Sequence, residues 1–172
     1  LKKEKKVIHK FNNYIPNIDK SCFIAQNTSI IGNVEIGKDS SIWFGTVIRG
    51  DMHYIKIGKR TNIQDNSIIH VTTDISPTIV KDGVTIGHGA IIHGCTIENN
   101  TLIGMGSIIM DNAIINEGSI IAAGALVTPN TIIPENTLAI GIPAKPLRKI
   151  SNKEYNEILE SSNHYVDFAK KY

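Results

Sequence analysis

The chain has 172 residues, 41% of them hydrophobic and 20% charged, with a net charge of +2. That balance suits one globular domain and excludes wholesale disorder. No apolar run reaches the roughly 18 residues of a membrane span, and no nucleic-acid-binding stripe remains once the basic run Leu1–Lys6 is set aside. The two cysteines, Cys22 and Cys95, fit neither a disulfide framework nor a zinc knuckle. The basic start leads into Val7-Ile8-His9 rather than an apolar segment, so no secretory signal is expected and a reducing, cytoplasmic setting is the default. Aromatic residues make up only 6%. Something else must fill the interior, and isoleucine does.

Along the chain, Ile18, Ile24, Ile30, Ile36, Ile42 and Ile48 fall six residues apart. The beat resumes at Ile57, Ile63 and Ile69, and again at Val80, Ile86 and Ile92. It then runs through Ile97, Ile103, Ile109, Ile115, Ile121, Val127 and Ile133 to Ala139. Four positions after most anchors sits a small or β-branched residue, such as Thr46, Ser67, Ala90, Ser107 or Ser119. A helical period of 3.6 cannot produce a strict six, and a two-residue alternation would not single out one position in three. A hexapeptide β-helix does so directly. Each hexad makes a short strand and a turn, three hexads close a triangular coil, and the anchors stack about 4.8 Å apart inside. The repeats span about seven coils and predict an all-β solenoid.

The tail changes character. Gly141-Ile142-Pro143-Ala144-Lys145-Pro146 suits neither a helix nor a central strand and reads as a linker. Ser151-Asn152-Lys153-Glu154 then has the capping-box pattern. Tyr155, Ile158, Leu159, Ser162, Tyr165, Val166 and Ala169 keep helical spacing behind it, with Lys170 and Lys171 placed to suit the helix dipole. The expected organisation is residues 1–150 as a β-helix domain with its lead-in and linker, and residues 151–172 as one α-helix packed along the coil.

Six histidines occur, and His9 and His164 read as ordinary surface residues. The others become informative once hexads are assigned to sides. Those at Ile48, Ile69 and Ile92 share one side in successive coils, so Arg49, His70 and His93 form a column. On the preceding side Asp65 and His88 occupy equivalent positions, with Gln64 beside Asp65. Two histidines one rung apart can share a metal ion. His88 cannot join them across the core, but a neighbouring subunit can supply it, and repeating that contact about a three-fold axis closes a ring. Three imidazole nitrogens plus a water make the tetrahedral set of a catalytic zinc site. The same packing brings Arg49 of one chain toward Asp65 of the next, an intersubunit ion pair. Cys22 and Cys95 read as packing thiols.

The stretches Val47-Ile48-Arg49-Gly50-Asp51, Asn62-Ile63-Gln64-Asp65, His70, and Gly87-His88-Gly89-Ala90-Ile91-Ile92-His93-Gly94-Cys95 resemble the signature of the gamma-class carbonic anhydrase-like family of hexapeptide-repeat proteins. Gly141-Ile142-Pro143-Ala144-Lys145 resembles that family's post-coil motif, which many hexapeptide acyltransferases share. The resemblance implies a left-handed parallel β-helix with a C-terminal α-helix, assembled as a homotrimer with one zinc per interface held by His70, His88 and His93. It places Arg49, Asp51, Gln64 and Asp65 around the bound water and the subunit contact. The implied reaction is reversible hydration of carbon dioxide to bicarbonate by zinc-bound hydroxide, formed because the metal lowers its water to a pKa of about 7, a magnitude taken over from carbonic anhydrases generally. Gln64 would orient the hydroxide, while Arg49 and Asp51 organise the interface and Arg49 attracts bicarbonate. Three histidines also suit iron(II) or cobalt.

The pattern departs from the family's prototype near the site. Met52 stands where an acid follows the Arg-Gly-Asp segment, and the loop Val71–Ile79 carries only one carboxylate, Asp74. His53 is a candidate substitute for carrying the proton. Two rival readings stay open. One is a metal-binding scaffold or small ester or thioester hydrolase on the same trimer, since a family does not fix an activity. The other is a hexapeptide acyltransferase that binds a pantetheine thioester in the coil cleft.

Overall fold

The computed structural model describes residues 7–172, so the basic run Leu1–Lys6 lies outside the described residues. Its hexads wind into a left-handed parallel β-solenoid of about seven turns with one C-terminal helix. Every anchor except the half-buried Ile18 is buried, from Ile24 to Ala139. The small residues four positions on, among them Thr46, Ser67, Ala90, Ser107 and Ser119, are buried too and keep the narrow interior from overfilling.

Three faces follow from the pairing. The histidine face stacks Ile30, Ile48, Ile69, Ile92, Ile109 and Val127. The next face stacks Ile18, Ile36, Ile57, Val80, Ile97, Ile115 and Ile133. The helix face stacks Ile24, Ile42, Ile63, Ile86, Ile103, Ile121 and Ala139. Two strands, Ser29–Ile36 and Val47–Ile57, run unbroken around the corner from the histidine face to the next, which joins those two faces into one sheet. Most corners turn three residues after an anchor on a backbone with positive φ, as at Asn66, Gly89, Gly106 and Asn112. Glycine and asparagine tolerate that conformation best.

The segment expected as a linker is instead structured. Thr137–Gly141 and Ala144–Lys149 pair as an antiparallel hairpin, with a cis bond between Ile142 and Pro143 and a bulge between Leu138 and Ala139. Pro146 fits because Ala144–Lys149 is the edge strand of its sheet. The helix Asn152–Ala169 has its capping box closed: Glu154 N–H donates to Ser151 Oγ at 3.2 Å, and Ser151 N–H donates to Glu154 Oε2 at 2.7 Å. Lys170 caps the helix C-terminus and Lys171 lies beyond, so neither sits within its last turn. Ile158 and Ser162 face the coil, and Ser162 Oγ donates to the Arg60 carbonyl at 2.7 Å. Further along, Phe168 stacks on Trp43, which also meets Phe23, Tyr165 and Tyr172. No helix of the described residues is long and apolar enough to cross a membrane.

Candidate metal centre

His70 and His93 end the strands Ile68–His70 and Ile91–His93 and are direct partners in the ladder. Their side chains therefore leave the same face one rung apart, and His70 Nδ1 lies 3.1 Å from His93 Nε2. Each ring is held on its far side. His70 Nε2 is 3.1 Å from Asp51 Oδ1, and His93 Nδ1 is 3.0 Å from Asp111 Oδ1. His88 sits at the corner between the helix face and the histidine face, with Nδ1 at 2.9 Å from Asp65 Oδ2 and half of its side chain exposed.

Burial works against ionisation of Asp51, but hydrogen bonds from Arg49 and His70 outweigh it and hold the carboxyl below its usual range. Burial likewise opposes ionisation of Asp111, and donors from Thr72, His93 and Ser76 outweigh it. Burial also pushes the His70 imidazole down, against the pull of Asp51, so it stays neutral more readily than a free histidine. An ionised carboxylate only accepts, so His70 Nε2 and His93 Nδ1 carry the protons. With both rings neutral, two nitrogen lone pairs then face each other across 3.1 Å. Such a pair repels unless a cation lies between, and the gap is near the roughly 3.3 Å that two imidazoles adopt on one tetrahedral zinc. The donor set fits zinc, with every histidine backed by a carboxylate.

Within one chain the set is incomplete. Among the described residues, no group of three or more histidine, cysteine, aspartate or glutamate side chains is placed to hold a metal ion. His88 lies on a different corner from the other two, beside Gln64, in an apolar groove of about 480 Å³ whose walls include Leu102, Met105, Leu138 and Tyr165. Gln64 is buried and pinned by its amide donating to Asn62 Oδ1 at 3.2 Å, and Asn62 in turn donates to Thr85 at 2.8 Å. Arg49, sequence-paired with Asp65 of a neighbour, donates within this chain to Asp51, and Asp65 meets His88. His53 and Asp74 share a cleft of about 250 Å³ with Asp51, Met52 and Tyr14. Cys95 is fully buried and burial pushes its thiol up to about 12, so it is inert packing. Cys22 is half-buried and its thiol donates to the Gly37 carbonyl.

Asp111 is the residue that the sequence reading missed. It lies 18 positions beyond His93, outside every motif, and only the coil brings it under the ring. Its place two residues after the Ile109 anchor, one rung on from Gly94, was the available signal.

The bacterial transferase hexapeptide family (six repeats) matches residues 16–50 and 94–129. A protein named carbonic anhydrase from Geobacillus kaustophilus is 49% identical over 96% of this chain and 91% of its own length. Gamma carbonic anhydrase 2 of Arabidopsis thaliana mitochondria is 42% identical over 90% of this chain, which spans 58% of that longer protein. A crystal structure of a hexapeptide transferase family protein from Anaplasma phagocytophilum superposes with a TM-score of 0.93 at 43% identity, covering 96% of this chain and 98% of that one. With a hexapeptide coil, a carboxylate-backed histidine pair and a carbonic anhydrase of Geobacillus kaustophilus alike over nearly its whole length, the chain belongs to the gamma-class carbonic anhydrase-like family of hexapeptide-repeat proteins.

Proposed function

We propose that this chain forms a homotrimer in a reducing cytoplasm, with His70 and His93 of one copy and His88 of the next holding zinc at each interface, and that it hydrates carbon dioxide reversibly. The observation that carries this reading is the 3.1 Å approach of His70 Nδ1 and His93 Nε2, each ring fixed from its far side by its own carboxylate. Zinc, when bound, supplies the Lewis acidity that makes water nucleophilic at neutral pH. The chain's residues do the rest. Asp51 orients His70 and steadies Arg49, whose side chain is 41% exposed and offers a positive charge to bicarbonate. Gln64, fixed by Asn62, offers a polar group beside His88 in a mostly apolar groove that favours an uncharged substrate.

The outer surface supports the assembly. His88 marks one edge of the histidine face, and His70 with His93 marks the other. Joining the first to the second of a neighbour, three times over, turns that face toward the three-fold axis. Below Ser29 its outward column is aliphatic over five successive rungs: Val47, Ile68, Ile91, Ile108 and Leu126, with Ile68 43% exposed in a single chain. Such a column is suited to burial between copies.

The deciding experiment is stopped-flow hydration of carbon dioxide by the zinc-loaded protein, run beside thioester hydrolysis and acyl-coenzyme A titration. The expected result is hydration above buffer that disappears in His88→Ala. Zinc-loaded trimers that bind or hydrolyse a thioester and leave carbon dioxide untouched would transfer the site to one of the rival activities.

A further inference from the structure

One oxygen of Asp111 serves three donors. Thr72 Oγ donates to Oδ1 at 2.8 Å, Ser76 Oγ at 3.0 Å and His93 Nδ1 at 3.0 Å. Thr72 and Ser76 are the two ends of a tight loop closed by their own backbone bridge, with Asp74 at φ +51° between them. That loop is the insertion directly after His70. Gly94 makes the meeting possible: a Cβ there would stand 2.1 Å from Asp111 Oδ1 and 2.3 Å from Ser76 Oγ. Asp51, which holds the His70 ring in the same manner, touches Arg49 and no loop hydroxyl. The loop is therefore tied to the histidine pair through Asp111.

We propose that Asp111 is a positioning residue that keeps His93 with Nδ1 protonated and Nε2 turned to the ion, and that it thereby couples the order of the Thr72–Ser76 loop to metal binding. This rests on the zinc reading above. A free imidazole in water favours the Nε2–H form, which would put a proton where the ion binds. Asp111 reverses that preference by offering an acceptor only to Nδ1. Because its oxygen is shared, a loop that strays removes two of the donors that hold the carboxylate under the ring. Linkage then requires the converse: an ion that fixes the ring also steadies the loop.

The test has a readout that a purely structural role would not move. In metal-free, ¹⁵N-labelled protein, His93 should show the Nδ1–H tautomer, and Asp111→Ala should shift it toward Nε2–H. Competition with a chromogenic chelator should show zinc affinity falling about 10- to 100-fold in Asp111→Ala. The fall should be smaller in Asp111→Asn, whose carbonyl still accepts, and intermediate in Thr72→Val/Ser76→Ala, which leaves both histidines and Asp111 in place. Zinc should slow amide exchange across Thr72–Ser76 in the wild type and not in Asp111→Ala. Should Asp111→Ala fail to fold, the Asn variant and the double variant carry the same comparison. Wild-type tautomer and affinity in a folded Asp111→Ala overturn the inference, as does a wild-type loop indifferent to zinc. Wild-type protein that takes up no zinc overturns the metal reading along with it, which distinguishes the two failures.

Discussion

Two corners of the solenoid flank the histidine face, and they are built differently. At the helix-to-histidine corner the anchors never leave six-residue spacing: Ile24 to Ile30, Ile42 to Ile48, Ile63 to Ile69, Ile86 to Ile92 and so on. At the opposite corner the chain runs nine residues from Ile48 to Ile57, eleven from Ile69 to Val80, and five from Ile92 to Ile97. Every break in the beat falls at this one corner, and all three touch the metal centre. The first insertion extends the strand just past Asp51, the second contains Thr72 and Ser76, and the deletion tightens the turn at Gly94. The anchors on either side stay stacked and buried. A coil can thus change length at a corner without disturbing its core, because an insertion bulges outward and leaves the ladder intact. The regular corner contributes His88 and stays open from that rung onward, with nothing within 4 Å of a Cβ at Gly89, Gly106 or Gly124, whereas at Gly45 the Asn66 side chain fills the space. One corner is crowded with the chain's own groups, and the other has room for a partner's.

The strongest way to break this comparison is to remove one ligand from each corner. Alanine at His70, His88 or His93 should reduce zinc content to near zero, since two imidazoles make a weak site, while alanine at His9 or His164 should not change it. Mixing then separates the geometries. When His88→Ala chains exchange with His70→Ala chains, each mixed trimer regains one site of its three. That site lies where the intact pair of the first chain meets the intact His88 of the second. Metal analysis of purified mixed trimers reads this directly. Mixed trimers without zinc would put all the ligands within one chain, or elsewhere.

The next effect concerns the face between the corners. Ile91→Asp places a charge in the aliphatic column, three times about the axis, and each buried charge costs several kcal/mol. Sedimentation at micromolar concentration should show monomer. Ile114→Asp occupies the same strand position on the next face and should remain trimeric. Dissociation by the second and not the first would assign the interface to the wrong face.

Much of this was legible in advance. The period of six fixed the anchors, the coil count and the column of Arg49, His70 and His93, because stacking converts sequence spacing directly into height. Asp65 and His88 were likewise placed at equivalent positions one rung apart. Their contact with each other was not foreseen, nor was Arg49's with Asp51, since side-chain choice among nearby partners is decided by reach rather than by register. Asp111 escaped because its partners lie 18, 35 and 39 residues away. Prolines concealed the hairpin Thr137–Lys149, where an edge position removes the usual objection to proline in a sheet.

Glycine substitutions sharpen the contrast between the corners at lower cost. Gly106→Ala, at φ +65° with no neighbour within 4 Å, should lose only the left-handed backbone penalty of about 1–2 kcal/mol. Gly94→Ala carries a similar penalty at φ +56° and also drives a methyl into Asp111 and Ser76. It should unfold several degrees lower than Gly106→Ala and bind zinc more weakly. Equal melting temperatures with unchanged zinc affinity would mean that the crowded corner relaxes freely.

The smallest effect is an acid titration that sets the metal corners against the far end of the solenoid. There, Arg148 donates twice to Glu154, at 2.9 and 2.7 Å. This pair, with donors from the Ser151 backbone and hydroxyl, lowers the Glu154 carboxyl from its ordinary 4.5 to about 2. A carboxyl depressed on folding stabilises the folded chain above its unfolded value, and that contribution fades as pH falls from about 4.5 toward 2. Because the pair is solvent-exposed, its effect on global melting should be slight. Protons compete with zinc for imidazole before they reach this carboxyl, because a histidine ring is the stronger base. Between pH 3 and 5, on this account, the metal is gone while the first turn of the helix stays closed. Carbonyl chemical shifts should show Glu154 titrating near 2, and Arg148→Ala should move that midpoint toward 4.5 without altering the pH of zinc release. If the helix start opens together with zinc loss, the two regions are coupled through the coil and do not titrate separately.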